Sequence, residues 1–186
     1  MKSTDTLTEE HRQILRMLDV LAKMVDRTKE GLDISNEDAT DLLRFFRMYS
    51  DQRHHAKEET ILFPALEKAG MPTNGGPVGC MLEEHDQGRA FVTGIDDAIG
   101  SGNTKAFVEN ANRFVDLLRD HIRKEDEVLY PMACDLLTED DDRMLDEFGE
   151  ADREFGAESL EQIVSLVRRL EAEYLAQAGS PSGGPH

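Results

Sequence analysis

Apolar residues recur at steps of three and four along four long segments of this 186-residue chain, and short stretches rich in glycine and proline separate the segments. That spacing is typical of helices that bury one face. Alternation of apolar and polar residues, which would indicate strands, is almost absent. The helices are predicted over about 8–30, 36–69, 77–99 and 104–133. Four amphipathic helices joined by short loops predict an all-α protein, an up-down-up-down four-helix bundle.

The C-terminal part of the chain has a different composition. Residues 135–173 carry 14 acidic and four basic side chains, and so contribute −10 to the net charge of −18. Two shorter helices are predicted there, over about 139–153 and 158–176. We expect three units along the chain: a bundle at 1–134, an acidic helical extension packed on it at 135–178, and a flexible tail rich in Gly, Ser and Pro at 179–186.

The charge balance excludes some partners. With 39 acidic against 21 basic side chains, the chain lacks the clustered cations that neutralise a nucleic-acid backbone. No run approaches the ~20 apolar residues of a membrane span, and no signal-peptide core precedes the first helix. We therefore expect a cytoplasmic protein that binds neither nucleic acid nor membrane. In that reducing compartment Cys80 and Cys134 are expected to be buried free thiols.

Two segments of the chain repeat each other. Residues 54–64 read HHAKEETILFP and residues 121–131 read HIRKEDEVLYP. Each begins with a histidine followed four residues later by a glutamate, a spacing that brings two side chains together on one face of a helix. Both pairs belong to the apolar stripes, so they are predicted to face the bundle interior. The pairs are His54 with Glu58 and His121 with Glu125.

Two further histidines, His11 and His85, lie in the stripes of the first and third helices. A buried glutamate without a partner costs several kcal/mol, so this set predicts a shared stabiliser. Six ligands are too many for one tetrahedral zinc and favour two ions bridged by the carboxylates. Imidazole and carboxylate donors without thiolate favour iron, or manganese. The predicted ligands are His11, His54, Glu58, His85, His121 and Glu125; His55 and Glu59 are predicted to support them or to face solvent.

The order H…HxxxE…H…HxxxE, with EEHDQGR in the third helix, resembles that of the hemerythrin-like family of HHE cation-binding domains over about residues 7–134. The resemblance implies a left-handed bundle holding two non-haem iron ions that share an oxo or hydroxo bridge. It also implies that the four histidines are terminal ligands and that Glu58 and Glu125 bridge. One iron would keep a position for O2, peroxide, NO or azide.

Two features depart from the family pattern. On the fourth helix, oxygen-carrying hemerythrins use an Asp one place further along, where this chain has Glu125 followed by Asp126. Oxygen-carrying hemerythrins place two histidines four residues apart on the third helix, whereas the neighbours of His85 at that step are Met81 and Arg89. A site with one imidazole fewer can bind water there or recruit another side chain. The alternatives that the sequence leaves open are Glu59, Tyr49, Tyr130 and a carboxylate of the extension such as Glu150.

These features support four hypotheses about function. The first is a non-haem di-iron protein that binds or reacts with a small oxidant, namely O2, peroxide or NO. The second is an enzyme that turns over peroxide or NO at the same site, since an open position favours turnover; no catalytic residue is assigned. The third is an iron- or oxygen-responsive sensor without turnover, whose acidic extension contacts a protein partner that the sequence does not identify. The fourth is a metal-free helical interaction protein.

Overall fold

The computed structural model describes residues 1–176, which form six helices and no strand. Helix α1 spans Lys2–Lys29 and α3 spans Gly76–Ser101. Helix α2 consists in chain order of Asn36–Phe45, the π-helical segments Phe46–His55 and Glu58–Leu62, and Phe63–Lys68. Helix α4 consists of Thr104–Lys124, the π-helical segment Glu125–Leu129, and Tyr130–Leu136. The C-terminal helices are α5, Asp141–Phe155, and α6, Ala157–Tyr174.

This architecture confirms the predicted all-α bundle with additional C-terminal helices. Within residues 1–176, no helix combines the length and the apolar content that crossing a bilayer requires. Both cysteines are free, as expected, but neither is fully buried: Cys80 is exposed on the outer face of α3, and Cys134 is partly exposed near the end of α4. The predicted flexible tail, 179–186, lies outside the described residues.

Side chains and glycines define the ends of the long helices. The Ser35 hydroxyl accepts the backbone N–H of Asp38 at 3.3 Å and so caps the start of α2. Gly102 ends α3 in the left-handed conformation, with φ of 64°, which costs glycine nothing. Asn103 then caps α4 by accepting the backbone N–H of Ala106 at 3.1 Å. These short connections bring α3 and α4 together as antiparallel neighbours.

Each repeated segment contains a π-helical turn directly before its proline. The N–H of Phe63, before Pro64, bonds the carbonyl of Glu58 five residues back, and Tyr130, before Pro131, bonds Glu125 in the same way. A proline ring clashes with the carbonyl four residues earlier and lacks an N–H, and a wider turn relieves that conflict. The first residue of each π-helical turn is a predicted metal ligand, Glu58 in α2 and Glu125 in α4.

The apolar core is divided into two clusters, one on each side of the predicted polar site. One cluster joins Ile14, Leu18, Phe46 and Leu118 with side chains of α6. The other joins Leu7 and Leu62 with Phe148 of α5 and residues from the end of α4. Both extension helices pack on α1 and α2. The layer that holds the histidines is thus enclosed by apolar side chains on both sides.

Candidate metal centre

The structure brings all six predicted ligands together in the interior of the bundle. Each has at most 1% of its surface exposed. The helical stripes carry them inward, because His11 lies between the buried Leu7 and Ile14 of α1 and the others occupy equivalent positions. The six residues come from four helices: His11 from α1, His54 and Glu58 from α2, His85 from α3, and His121 and Glu125 from α4.

The ligand atoms form two groups, in each of which one nitrogen or oxygen per residue lies within 4.8 Å of the others. We call the two groups subsite one and subsite two. Subsite one comprises His11, His54, Glu58 and Glu125, and subsite two comprises His55, Glu58, His85 and His121. Glu58 belongs to both groups, and the two subsites are therefore adjacent.

The two glutamates lie between the subsites. Glu125 directs Oε2 at the Nε2 of His11 and Oε1 at the Nε2 of His121, both at 3.2 Å. Glu58 Oε2 lies 3.7 Å from the Nε2 of His54 and 3.6 Å from the Nε2 of His85. Each carboxylate thus faces imidazoles of both subsites, which is the position of a bridging ligand.

The two buried carboxylates have oxygen atoms without hydrogen-bond partners among the described residues. Within residues 1–176, neither oxygen of Glu125 nor Oε2 of Glu58 has a hydrogen-bond partner. Burial and the charge of Glu125 raise the pKa of Glu58 well above its usual range. Burial opposes ionisation of Glu125 too, but the nearby charge of His121 lowers its pKa well below the usual range. Cations placed between these oxygens and the imidazoles would satisfy them.

The imidazole spacing also fits a metal. The Nε2 atoms of His85 and His121 lie 3.1 Å apart. Two bonds of about 2.1 Å meeting at about 90° would separate two ligand nitrogens by roughly 3 Å. The residues present therefore fit a pair of ions, one in each subsite.

Every predicted histidine ligand is held from behind by a carboxylate. The Nδ1–H groups donate to carboxylate oxygens, so the Nε2 atoms point at the subsites, an arrangement that orients metal-binding imidazoles. The bonds run from His54 to Glu10 (3.0 Å), from His85 to Glu59 (2.7 Å), from His121 to Glu84 (3.0 Å) and from His11 to Asp126 (2.9 Å). They connect α1 to α2, α2 to α3, α3 to α4 and α4 back to α1, and we call them the carboxylate ring.

Cations neutralise three of the four carboxylates in this ring. Lys57, which is fully buried, binds Glu10 at 2.6 Å, and Arg53 binds it at 2.7 Å. Lys124 pairs with Glu84, and Arg89 binds Glu59 at 2.7 Å. Burial opposes the charge on Glu10, but the bond from His54 and the charges of Arg53 and Lys57 lower the pKa of Glu10 to about 2.

The sequence contains a signal for this ring in a second internal repeat, which the His-x-x-x-Glu pattern alone does not reveal. Residues 9–13 read EEHRQ and residues 83–87 read EEHDQ, so α1 and α3 repeat each other as α2 and α4 do. In each case the second glutamate holds the imidazole of the next helix. The two halves of the bundle are therefore related by an approximate two-fold repeat, in which His11 corresponds to His85 and His54 to His121.

Comparison with known proteins agrees with this geometry. A model of the hemerythrin HHE cation-binding domain matches residues 2–133. The chain belongs to this family. The match covers α1 to α3, all of α4 except its last three residues, and both subsites, and it ends before α5.

Three relatives that share this HHE domain are iron-sulfur cluster repair proteins called YtfE. The protein of Pectobacterium atrosepticum is 31% identical over 135 residues, covering 67% of this chain and 60% of that protein. That of Dickeya chrysanthemi is 33% identical over 138 residues, with the same coverage. That of Escherichia coli is 35% identical over 89 residues, covering 43% and 40%. The chain thus spans at most 60% of the length of these relatives, and no solved structure matches it significantly.

The HHE domain of this chain has a fifth buried imidazole, His55, which the sequence analysis assigned to a supporting or surface role. His55 is 6% exposed, and its ring stacks on that of His85 at 3.8 Å between centroids. The prediction assumed the rotation of an α-helix, whereas residues 46–55 are π-helical. A wider turn rotates less per residue, so adjacent residues such as His54 and His55 both reach the interior.

Of the four side chains proposed to replace the fifth histidine, three have other contacts and one points into the site. Glu59 holds the back of His85, as described. Tyr49 packs its ring under the guanidinium of Arg53 at 4.9 Å, and that guanidinium binds Glu10. Glu150 is exposed and pairs with Arg153. Tyr130 alone among them points its oxygen at subsite one, donating to Glu58 Oε1 at 2.7 Å.

A cavity of about 200 Å³ adjoins subsite two. The imidazoles of His55 and His85 line it, and Phe46 and Phe114 form apolar walls. Arg89, held by Asp51 at 2.8 Å and by Glu59, lies along its polar side. A small molecule in this cavity would therefore meet the imidazoles of subsite two.

Proposed function

We propose that this chain is a non-haem di-iron protein that binds or reacts with a small oxidant, namely O2, peroxide or NO. One observation carries the proposal: two buried carboxylates with unsatisfied oxygens lie between two sets of imidazoles. Such an arrangement is costly without cations and favourable with them. Imidazole and carboxylate donors without thiolate favour iron.

The proposed ligands of subsite one are His11 and His54, those of subsite two are His55, His85 and His121, and Glu58 and Glu125 bridge. The iron pair would supply the electrons that a bound oxidant accepts. The chain's own contribution is orientation and exclusion of water. The carboxylate ring fixes the imidazoles, and the apolar clusters on either side keep the layer dry.

The cavity beside subsite two supports a small ligand rather than a large one. Its volume of about 200 Å³ suits a diatomic molecule or peroxide with space to spare, and it offers such a ligand both an apolar face, from Phe46 and Phe114, and a charged one that includes Arg89. Access from this side leads to the imidazoles of His55 and His85. We therefore propose that the oxidant approaches subsite two.

Iron-sulfur cluster repair is a second candidate function, favoured by the YtfE relatives. Removal of NO or peroxide would protect such clusters, so the two candidates share one chemistry. An iron-responsive sensor is a third, favoured by the contact of α5 with the cations behind His54: Asp152 binds Lys57 at 2.7 Å and Arg53 at 2.9 Å. If α5 reports the state of the site, iron loading will change proteolytic protection of residues 141–155.

The proposed function is tested by iron content and by rapid mixing. We expect two iron ions per chain and a fast absorbance change when the reduced protein meets O2, peroxide or NO. Iron-free protein is the control for each oxidant. Sustained consumption of more than two equivalents of oxidant per chain would indicate an enzyme. A single stoichiometric reaction with the oxidant would indicate a carrier or sensor. A chain that binds no iron would refute the proposal.

His55→Ala tests the assignment of the fifth imidazole. We expect iron content to fall from two ions towards one per chain, because subsite two loses one of its three imidazoles while subsite one keeps both of its own. Iron titration followed by elemental analysis measures this. Gln52→Ala, an exposed change in the same π-helical segment, should keep two ions. Full occupancy with unchanged affinity in His55→Ala would show that His55 is not a ligand.

A further inference from the structure

The approximate two-fold repeat of the bundle is broken at two positions close to the metal centre. Aligning His54 with His121 pairs His55 with Ile122, and pairs Phe63 with Tyr130. Subsite two thus has a third imidazole where the repeat has an aliphatic side chain. Subsite one has a phenol where the repeat has a plain phenyl ring. Each subsite therefore gains one polar group that the other half of the molecule lacks.

The aromatic rings occupy matching places in the two halves. The Tyr130 ring stacks on that of His11, with centroids 5.5 Å apart and 8° between planes. The Phe63 ring lies against that of His85 at 6.0 Å and 21°. At this aromatic position the two halves consequently differ by one oxygen atom, that of the Tyr130 hydroxyl.

The Tyr130 oxygen lies among the ligand atoms of subsite one. It is 3.3 Å from the Nε2 of His11 and 2.7 Å from Oε1 of Glu58. Two ligand atoms at about 2.1 Å from one ion and about 90° apart are separated by roughly 3 Å. Tyr130 is 3% exposed, so no solvent competes for this oxygen. The distances are those of neighbouring ligands on one ion.

We propose that the Tyr130 phenolate oxygen is the third terminal ligand of subsite one, as His55 is of subsite two. This inference rests on the proposed function, since it assumes iron in both subsites. Coordination exchanges the phenol O–H bond for an iron–oxygen bond and releases the proton, as metal binding to protonated ligands does. Phenolate is an established protein ligand of iron.

The consequence is a chemically asymmetric pair. Subsite one receives an anionic oxygen, which favours the ferric ion, whereas the extra donor of subsite two is a neutral imidazole. The position beside His11 is then closed by the protein, and the cavity beside His55 and His85 leads to the other ion. Both subsites then have three terminal donors, so it is the cavity, and not the number of ligands, that favours subsite two as the side from which an exogenous ligand enters.

The test uses the colour of the oxidised, iron-loaded protein. Phenolate bound to ferric iron absorbs in the visible region, and resonance Raman excitation in that band enhances ring vibrations of the tyrosine. We expect both signals in the natural protein. Tyr130→Phe should lose them while retaining two iron ions, because it reproduces the ring already present at Phe63. Tyr49→Phe, a change outside both subsites, should keep the band and serves as the control.

The outcomes separate this inference from the proposed function. Two bound irons without a phenolate signal would overturn the assignment of Tyr130 and leave the di-iron proposal intact; Tyr130 would then serve only to donate to Glu58. A band that survives Tyr130→Phe would also overturn it. A protein that binds no iron would overturn both. The Raman measurement on the natural protein stands even if the variant does not fold.

Discussion

Glu58→Gln is expected to lower iron content from two ions per chain to fewer than one and, at the same time, to stabilise the iron-free protein. Glu58 faces imidazoles of both subsites, and an amide is a poor bridging ligand. In the iron-free chain, however, the side chain is a buried acid beside Glu125 whose pKa is raised well above its usual range. Glutamine keeps the shape of this side chain but cannot ionise, so it removes the cost of protonating the acid on folding, and the free energy of unfolding at neutral pH should rise by about 1 kcal/mol or more.

Elemental analysis and urea denaturation of the iron-free protein measure these two effects. Glu127→Gln, an exposed change in the π-helical segment of α4, should alter neither. The opposite signs make the prediction specific, because a change that merely damaged the fold would lower both iron content and stability. Retention of two ions by Glu58→Gln would contradict the bridging role.

Lys57→Met is expected to destabilise the iron-free protein by about 3 kcal/mol, the lower end of the cost of breaking a buried ion pair. The Lys57 ammonium is fully buried between Glu10 at 2.6 Å and Asp152 at 2.7 Å. Methionine keeps the apolar stem, so no large cavity forms. Arg53 still contacts both carboxylates, which is why the effect stays near the lower end. Urea denaturation gives the free energy of unfolding.

A double-mutant cycle separates the charge effect from general damage. Glu10→Gln removes the carboxylate that Lys57 neutralises, so the double variant should be less destabilised than the sum of the two single variants. Lys68→Met, an exposed change in the same helix, should cost less than about 0.5 kcal/mol. Additive effects in the cycle would show that the pair contributes little.

The fold was largely predictable because the apolar stripes are long and the loops between them are short. Helix α3, predicted over 77–99, spans Gly76–Ser101, and α2 and α4 begin at the predicted residues 36 and 104. Helix α1, predicted from about residue 8, begins six residues earlier at Lys2, because Asp141 of α5 accepts the backbone N–H groups of its first turn. The π-helical turns were not predicted, since hydrophobic periodicity over short stretches does not distinguish them from an α-helix. Both turns lie directly before a proline, Pro64 or Pro131, and the conflict of the proline ring with an α-helical turn explains why they form there.

The site was predictable in part, for reasons that differ from residue to residue. The burial and convergence of the six proposed ligands followed from the sequence because two His-x-x-x-Glu pairs recur on apolar stripes. His55 was predicted to have a supporting or surface role, because the direction of its side chain depends on the π-helical geometry of residues 46–55, which the prediction did not include. Glu10 and Glu84 have a local signal in EEHRQ and EEHDQ, but which histidine each supports depends on how the helices pack. The contact of Asp152 with Lys57 also depends on how the helices pack, and no short-range sequence pattern predicts it.

In the carboxylate ring, the carboxylate that orients each histidine belongs to a different helix from the histidine itself. Detaching α1, for example, would remove His11 and would also free His54, whose ring Glu10 restrains. No pair of helices taken alone retains a correctly oriented set of donors. Metal loading should consequently be an all-or-none property of the assembled bundle, and fragments or partly folded chains should not sequester metal ions while they mature.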